Sequence, residues 1–401
     1  LSFDRHSRAD EYRMELDLET GVASVDYHME GVGYQRRCFV SYPDKVMVLH
    51  LQADRKQMLS FALAADSLLR HRVRTNGQCL IMEGQCPDHV EPNYVDHAPN
   101  PVVYERDPKG MHFAVTACIK ADEEAVVTAE DSCIRVSNAT ECMIVLASED
   151  SFESDDSLSE AIRRMQKAAD QPYEVLYRRH SKDFSAIYQR NILYLGEAPN
   201  MPMDERLRMF KEGNRNDAAL YADYYNYGRY LLISSGRQGV PANLQGIWSW
   251  ELRPAWSANW TTNINVQMNY WPAEVCGLSE LHMGLVNWLE KLTESGTKTA
   301  SSLYGCSGYC IHHNVDIWGM TTPASGDSQF SLWPMAGVWI ASHVWQHYLY
   351  TNDRDFLERK AFPLLEGCVA FCCDWLVKDA DGIYITVPST SPENGFYDVE
   401  G

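Results

Sequence analysis

Two asparagines spaced two positions apart are the first residues of this sequence whose arrangement suggests chemistry. Asn263 and Asn265 lie in the segment from Thr261 to Pro272. Side chains at positions i and i+2 point the same way only where the backbone is extended or just entering a helix, so we predict a loop-to-helix entry here. Carboxamides are not bases at neutral pH, but their oxygens accept hydrogen bonds and can hold a water in line for attack. In the alternative interpretation, Thr262 or Asn263 only caps the helix.

A second candidate is Glu393, the one ionisable residue between Val387 and Gly395. Two prolines and one glycine in these nine residues predict a loop, because proline cannot continue a helix. A carboxyl group held by a stiff loop is suited to general acid catalysis if the loop lines a pocket. Taken alone, a glutamate in a loop is more often simply solvated.

Tryptophan, asparagine and histidine are concentrated in the loops of the second half of the chain. Flat aromatic faces suit the C–H surface of a sugar ring, while amide and imidazole groups suit its hydroxyls. The candidates for sugar binding are Trp248, His312, His313, Asn314 and Trp318. Each residue alone is more often a core anchor or a helix cap, so the prediction depends on the cluster.

The net charge of −20 and the sequence pI near 5.0 limit the possible partners. Such a chain repels nucleic-acid phosphates and anionic membrane surfaces at long range, so we expect neither as a partner. No apolar run approaches the roughly 20 residues needed to cross a bilayer. A neutral or cationic ligand fits this composition better.

Twelve cysteines lie at irregular spacings, several of them in apolar runs. This pattern favours buried, reduced thiols in a cytoplasmic protein. The arrangement that most resembles a metal site consists of Cys306, Cys310, His312 and His313. It lacks the paired C-x2-C spacing of structural zinc sites, so we expect no metal.

Three segments follow one another along the chain. Short alternating apolar runs from Tyr12 to Ser148 predict a β-sandwich domain over residues 1–150, with residues missing at its start. A stretch rich in Ser, Asp and Glu, followed by helical spacing, predicts linker helices over 151–204. Residues 205–401 alternate helical segments with aromatic-rich loops and show almost no strand pattern, which predicts part of a helical toroid. Its predicted helices are Leu220–Ile233, Asn265–Cys276, Leu278–Leu303, Leu332–Tyr350 and Phe356–Val377.

Five segments in this half carry a resemblance to a known family. They are Pro241–Trp248, Thr261–Trp271, His312–Trp318, Leu332–Met335 and Ser391–Asn394. In content and order they resemble the α-L-fucosidases of glycoside hydrolase family 95. In that family an N-terminal β-sandwich and a helical linker precede an (α/α)6 barrel, in agreement with the patterns above.

The resemblance implies specific roles for the candidate residues. Glu393 would protonate the leaving glycosidic oxygen, and Asn263 and Asn265 would position the attacking water, with inversion at the anomeric carbon. The implied substrate is an oligosaccharide or glycoconjugate with a terminal, α-1,2-linked L-fucose. Acid catalysis with an activated water requires no metal or organic cofactor.

One part of the family's pattern is absent. The family's catalytic aspartate lies well beyond the glutamate motif, whereas this chain stops eight residues after Glu393. We assign no residue as base, because neither Asp316 nor Asp327 lies in the family's context for it. The second half holds about six helices where a closed (α/α)6 barrel needs twelve. We therefore expect an incomplete barrel and a fragment that hydrolyses poorly unless the missing part is supplied.

Three alternatives stay open at this stage. An α-L-galactosidase of the same family fits equally, since L-galactose differs from L-fucose only by a hydroxyl on C6. A carbohydrate-binding fragment without turnover also fits, because the base is absent. A phosphorylase on the same scaffold fits less well, because no basic or hydroxyl cluster for phosphate accompanies the motifs. The oligomeric state is open.

Overall fold

The computed structural model of the chain describes residues 1–3, 9–95, 97–152, 154–237 and 239–394. Gly395, the last residue of the predicted glutamate loop, and the residues after it lie outside this part. The chain forms two compact units, one of residues 1–189 and 251–255 and one of residues 190–250 and 256–401. The predicted order of a strand-rich part followed by a helical part is confirmed.

The first unit contains two antiparallel sheets. Its strands are β1 (Ser2–Phe3), β2 (Asp10–Asp17), β3 (Val22–Met29), β4 (Val32–Ser41), β5 (Val46–Ala53), β6 (Leu59–Ala64), β7 (Arg70–Asn76), β8 (Cys79–Gln85), β9 (His89–Val90), β10 (Val102–Val103), β11 (His112–Ala121), β12 (Val126–Ala129), β13 (Cys133–Ala139) and β14 (Glu141–Asp150). Eight strands form one sheet in the order β2-β3-β4-β5-β14-β11-β8-β7, and four form the other in the order β1-β6-β13-β12. The pair β9 and β10 stands apart as a short ladder.

The central strand β14 is buried on both faces, which explains its continuous apolar run. Cys142 and Ile144 pack into a core shared with the four-stranded sheet, where Phe61 and Ile134 lie. Residues at odd positions of β14, such as Val145, face the opposite side and pack against the helices that follow the sheets. A strand covered on both faces carries apolar residues at successive positions instead of alternating ones.

The two helices after the sheets are α1 (Ser157–Ala169) and α2 (Tyr173–Tyr188). The Asp156 side chain accepts a hydrogen bond of 3.0 Å from Ser159 N and so caps α1. Met165 and Leu176, one from each helix, belong to the buried cluster on the eight-stranded sheet. Of the segment predicted as a linker, the part up to residue 189 therefore belongs to the first unit, whereas residues 190–204 belong to the second.

The second unit is mainly helical. Its helices are α3 (Met203–Lys211), α4 (Ala218–Ser235), α5 (Asn265–Tyr270), α6 (Pro272–Val275), α7 (Ser279–Thr299), α8 (Ser328–Ser331), α9 (Ala336–Thr351), α10 (Arg354–Phe356) and α11 (Phe362–Trp375), with π-helical turns at Ala300–Tyr304 and Leu357–Ala361 and a 3-10 turn at Ala255–Ala258. Two-residue strands form two ladders, β15 (Trp260–Thr261) with β16 (Asn314–Val315) and β17 (Val377–Lys378) with β18 (Tyr384–Ile385). Within the described ranges, none of the helices combines the length and apolar character needed to span a lipid bilayer.

Prolines account for two differences from the predicted helices. The helix predicted from Asn265 to Cys276 is divided into α5 and α6, and α6 begins at Pro272. The helix predicted from Leu332 begins only at Ala336, after Pro334. Proline has no N–H to donate and restricts the residue before it, so a helix tends to start at or after it.

Candidate functional site

The ladder of β15 and β16 brings two of the sequence motifs together. Thr261 lies opposite Asn314. Beyond the ladder, Thr262 N donates to His313 O at 2.7 Å, and Thr262 Oγ1 donates to His312 O at 2.7 Å. Hydrogen bonds to the backbone of His312 and His313 thus hold the asparagine-rich segment against the histidine segment.

The start of α5 confirms the predicted loop-to-helix entry at the asparagine pair. The helix begins at Asn265, which is half-buried, and Ile264 is the residue immediately before it. The interpretation of Thr262 or Asn263 as the helix cap is wrong, because Ile264 occupies that position and no side chain caps the helix. The Asn263 side chain is therefore not used at the helix start.

Three buried polar atoms in this region have no hydrogen-bond partner among the described residues: Asn263 Oδ1, Gln267 Oε1 and His313 Nδ1. Asn263 is 9% exposed and Gln267 is fully buried. We call Thr262, Asn263, Gln267, His313 and Asn314 the amide–imidazole cluster. An unpaired buried polar group destabilises the fold, so such a concentration is characteristic of a site that a ligand or water completes.

The hydrogen bonds inside the cluster define what each unpaired atom offers. Gln267 Nε2 donates to Thr262 O at 2.7 Å, which leaves Gln267 Oε1 as an acceptor. Asn314 Nδ2 donates to His313 Nε2 at 3.0 Å, so the proton of the neutral His313 ring is on Nδ1, which is a donor. With the Asn263 oxygen, the cluster presents two acceptors and one donor, a set suited to water and sugar hydroxyls.

The imidazoles of this region are held in the neutral form. Burial lowers the pKa of His312, and the hydrogen bond from its ring to Thr321 O opposes this only in part. Burial also lowers the pKa of His313, and repulsion from His312 adds to the effect. Neutral rings next to uncharged amides suit an uncharged ligand such as a sugar.

His312 stabilises the backbone next to the cluster. It is fully buried, its Nδ1 donates to Thr321 O at 2.7 Å, and its Nε2 accepts from Tyr304 Oη at 2.7 Å. Both ring nitrogens are thus bonded within the protein, which leaves neither for a sugar hydroxyl. The His312 carbonyl, which accepts from Thr262, fixes the neighbouring backbone.

The loop that carries Trp248 is fixed by hydrogen bonds to the same part of the unit. Asn243 and Gly246 exchange two backbone hydrogen bonds of 3.0 Å, and Asn269 Nδ2 donates to Asn243 O at 3.3 Å. Gly246 has a φ of 71°, and a Cβ there would lie 2.7 Å from the Trp248 ring. Glycine therefore allows Trp248, which is 48% exposed, to lie flat against the loop.

Glu393 and Trp318 are both exposed. Glu393 is exposed on a tight turn in which Asn394 N donates to Ser391 O at 2.7 Å. The loop is attached to the unit where Thr390 Oγ1 donates to Leu332 O at 3.1 Å. Among the described residues, no hydrogen bond joins Glu393 to the amide–imidazole cluster. Trp318 is 67% exposed.

Sequence reasoning missed Gln267, although it lies in the most distinctive segment. Its signal is weak, because a glutamine inside a helix is usually a solvated surface residue. The contact with Thr262 O and the complete burial become visible only in the folded chain.

Sequence reasoning also missed a second buried polar group, which we call the glutamate–histidine cluster: Glu274, His282, His343 and His347. His282 Nδ1 and His347 Nδ1 donate to Glu274 Oε1 at 2.7 and 2.6 Å. A hydrogen bond of 2.9 Å joins His282 Nε2 and His343 Nδ1. The available signal was the i, i+4 spacing of His343 and His347 on α9, which places both on one face.

Opposing effects determine the pKa of Glu274. Burial raises it, but hydrogen bonds from His282, His347 and Ser279 outweigh burial and lower the pKa to about 2. Burial lowers the pKa of His343 to about 4, with repulsion from His282 adding to the shift and attraction to Glu274 opposing it. The carboxylate is thus charged and partnered at neutral pH.

The ligand atoms of Glu274, His282 and His347 lie within 4.8 Å of one another, close enough to consider a metal ion. However, the two nitrogens lie at hydrogen-bond lengths of 2.6 and 2.7 Å from the same oxygen. Two ligands of one tetrahedral zinc ion lie roughly 3.3 Å apart. The geometry therefore fits a hydrogen-bond network that joins α6, α7 and α9.

Comparison with known families agrees with the position of these motifs. Residues 172–401 match the model described as "Glycosyl hydrolase family 95 catalytic domain". The chain belongs to glycoside hydrolase family 95. Residues 1–155 match a second model, "Glycosyl hydrolase family 65, N-terminal domain", so this family 95 chain carries an N-terminal region of a type named after another hydrolase family.

Two curated relatives extend over nearly the whole chain. Alpha-L-fucosidase 2 of Arabidopsis thaliana is 37% identical over 406 residues, which is 96% of this chain and 48% of that protein. Probable alpha-fucosidase A of Aspergillus niger is 30% identical over 97% of this chain and 50% of its own length. The family 95 chain spans about half the length of the curated relatives it matches.

A solved structure supports the fold. A putative kojibiose phosphorylase from the human microbiome matches with a TM-score of 0.59 at 12% identity, over 94% of this chain and 48% of that one. At this identity the likeness concerns the fold alone, a sheet domain followed by a helical domain.

Proposed function

We propose that this chain is part of an inverting exo-acting glycoside hydrolase that removes terminal α-L-fucose, α-1,2-linked, from oligosaccharides or glycoconjugates. Residues 1–150 would be a β-sandwich domain, 151–204 a helical linker, and 205–401 the N-terminal part of an (α/α)6 catalytic barrel. Membership of family 95 and the names of the two relatives support the reaction class.

The observation that carries the proposal is the unpaired Asn263 oxygen in a buried setting. A water that donates one hydrogen to this oxygen is oriented without being ionised, which is what a positioning residue must do before attack. Asn265, on the first turn of α5, lies two residues further along and is proposed to hold the same water. The helix start fixes the spacing of the two amides.

The remaining residues take complementary roles in this proposal. Glu393 protonates the leaving oxygen as general acid, from a loop that can reach solvent and substrate. His313 Nδ1 and the Asn314 amide bind sugar hydroxyls, and Trp248 and Trp318 offer exposed aromatic faces to the ring. His312 acts as a positioning residue that holds the backbone of the cluster. The base is not assigned to any residue of this chain.

The test is incubation of the chain with 2′-fucosyllactose, with NMR detection of released fucose and of the anomer formed first. We expect the unmodified chain to release β-L-fucose at the low rate of an incomplete barrel, and Glu393→Gln to release at least 100-fold less than that, since general acid catalysis contributes ~10²–10⁴-fold. Glu366→Gln, an exposed glutamate on α11, is the matched control and should retain activity. Release of α-L-fucose first would contradict inversion, and an active Glu393→Gln variant would contradict the acid assignment.

A second candidate function is carbohydrate binding without turnover. The exposure of Glu393 favours this alternative, because a general acid is expected to line a pocket. Isothermal titration of the chain with L-fucose and L-galactose distinguishes the two functions, because a binding protein retains affinity while releasing no fucose. A chain that neither binds fucose nor hydrolyses fucosides contradicts both candidates.

A further inference from the structure

Two cysteines of the N-terminal unit lie directly opposite each other on neighbouring strands. Cys79 of β8 pairs with Cys118 of β11 in antiparallel register. In the next pair along the ladder, Ile119 N donates to Gln78 O at 3.0 Å. Because hydrogen-bonded and non-hydrogen-bonded pairs alternate in an antiparallel ladder, Cys79 and Cys118 form a non-hydrogen-bonded pair. At such positions the Cα atoms are about 4.5 Å apart and the side chains are closest, within the range that disulfides occupy.

The sulfur atoms are already in contact. Cys79 Sγ and Cys118 Sγ are 2.7 Å apart. All twelve cysteines of the chain are free thiols in this structure, and this is the one pair among the described residues joined by a sulfur–sulfur contact. The irregular spacing of the cysteines predicted reduced thiols, and Cys79 and Cys118 are reduced here but close enough to react with each other.

We propose that Cys79 and Cys118 form a redox site that closes to an intrachain disulfide when exposed to a small disulfide oxidant of the glutathione type. Cys79 Sγ attacks one oxidant sulfur, which breaks the oxidant's S–S bond and releases one glutathione thiol. Cys118 Sγ then attacks Cys79 Sγ and releases the second. Two electrons and the two thiol protons pass from the protein to the oxidant, so one dithiol and one oxidised glutathione give one protein disulfide and two reduced glutathiones.

The environments of the two thiols differ in a way that fixes the order of attack. Cys79 is half-buried, whereas Cys118 is 6% exposed, so a dissolved oxidant reaches Cys79 first. The hydrogen bond between the thiols lowers the pKa of Cys79 to about 7, against the opposing effect of burial. That same bond and burial raise the pKa of Cys118. Because the thiolate is the nucleophile, Cys79 is the attacking residue.

Peptide mapping of the unmodified chain tests the proposal directly. The folded chain is incubated with millimolar oxidised glutathione, free thiols are then alkylated under denaturing conditions, and the chain is digested with trypsin and a glutamate-specific protease. Cleavage after Arg74 and Glu83 separates Cys79 from Cys86, and cleavage after Lys109 and Lys120 isolates Cys118.

We expect peptides 75–83 and 110–120 joined by a disulfide, and alkylation of the other ten of the twelve cysteines. Alkylation of both Cys79 and Cys118 after this treatment would overturn the proposal. A stable mixed disulfide of Cys79 with glutathione, or a link from Cys79 to Cys86, would overturn it as well. This mapping requires no variant, so it does not depend on whether a substituted chain folds.

Thermal unfolding provides the second measurement. The disulfide would close a loop between Cys79 and Cys118, which are 39 positions apart in the sequence. Restricting the unfolded chain in this way should raise the melting temperature of the oxidised form on the order of 10 °C above the reduced form. Cys38→Ser, a half-buried cysteine on β4 opposite Leu49, should retain the difference, whereas Cys79→Ser should abolish it. An equal difference in Cys79→Ser would assign the stabilisation to another pair.

Discussion

The helical unit contains two buried polar clusters that differ in how completely their hydrogen bonds are satisfied. In the glutamate–histidine cluster, both oxygens of Glu274 accept hydrogen bonds, from His282 and His347 on one side and from Ser279 on the other. In the amide–imidazole cluster, three buried atoms have no partner in the described part of the chain. Each cluster takes one member from the pair of short helices α5 and α6, Gln267 from α5 and Glu274 from α6.

This difference separates a structural role from a binding role. A buried polar group destabilises the fold by roughly 1–3 kcal/mol if it stays unpaired, so satisfied clusters stabilise folds and unsatisfied ones await a ligand. The glutamate–histidine cluster joins three helices, whereas the amide–imidazole cluster presents two acceptors and one donor. Charge supports the same division, because Glu274 is ionised and fully partnered while the other cluster is neutral.

The largest expected effect is on the stability of the satisfied cluster. Glu274→Gln removes the charge that pairs with His282 and His347, and loss of one partner of a buried network destabilises by about 3–5 kcal/mol. We expect the urea midpoint of the helical unit to fall accordingly, measured by far-UV circular dichroism. Glu280→Gln on α7, an exposed glutamate paired with Arg190, is the control and should change the midpoint little. Equal shifts of the urea midpoint in the two variants would contradict a structural role for the glutamate–histidine cluster.

The next effect concerns function and distinguishes the two clusters most sharply. Asn263→Ala should lower fucose release roughly 100-fold, about 2.7 kcal/mol, because the attacking water loses its orientation. Its stability should change by less than about 1 kcal/mol, because the Asn263 oxygen has no hydrogen bond to lose.

Asn269→Ala is the matched control for this amide. Its side chain donates to Asn243 O, so its removal should lower stability by ~1 kcal/mol. If Asn263→Ala instead unfolds the chain and retains the turnover of its folded fraction, the amide is structural and the proposed water site fails.

Some of these features were within reach of sequence reasoning and others were not. The asparagine entry into α5 was predictable, because local spacing determines which way neighbouring side chains point. The glutamate–histidine cluster was not, because its members come from α6, α7 and α9 and meet only through helix packing. The contact of Cys79 with Cys118 depends on strand register, and no local pattern specifies which two residues lie opposite each other. Glu393 was predictable as a loop residue, but its exposure is a property of the fold.

The third effect is a loss of stability in acid that should trace to the glutamate–histidine cluster. His343 has a pKa of about 4 in the folded chain against an ordinary value of 6.5, so between these pH values only the unfolded chain takes up the proton. Stability is therefore fully present above pH 6.5 and falls as the pH is lowered towards 4. Glu274, with its pKa lowered from 4.5 to about 2, extends the loss to still lower pH.

His343→Asn replaces the ring by a neutral group that does not titrate. We expect the loss of stability between pH 6.5 and pH 4 to become shallower by on the order of 2 kcal/mol, measured from urea midpoints across that range. The pH profile of His312→Asn serves for comparison. Burial also lowers the pKa of His312, but this residue lies next to the amide–imidazole cluster. An unchanged pH profile in His343→Asn would place the acid sensitivity elsewhere.

The smallest effect tests the support of the amide–imidazole cluster. Thr262→Val keeps the shape of the side chain but removes the hydroxyl that donates to His312 O, which should destabilise by ~1 kcal/mol. Thr297→Val, whose hydroxyl donates to Thr293 O on the exposed face of α7, is the matched control and should change stability less. Because Thr262 N still donates to His313 O, the variant should fold and bind fucose more weakly, measured by calorimetry. Unchanged stability and affinity would mean that the backbone hydrogen bonds alone hold the asparagine and histidine segments together, and that the cluster's geometry does not depend on this side chain.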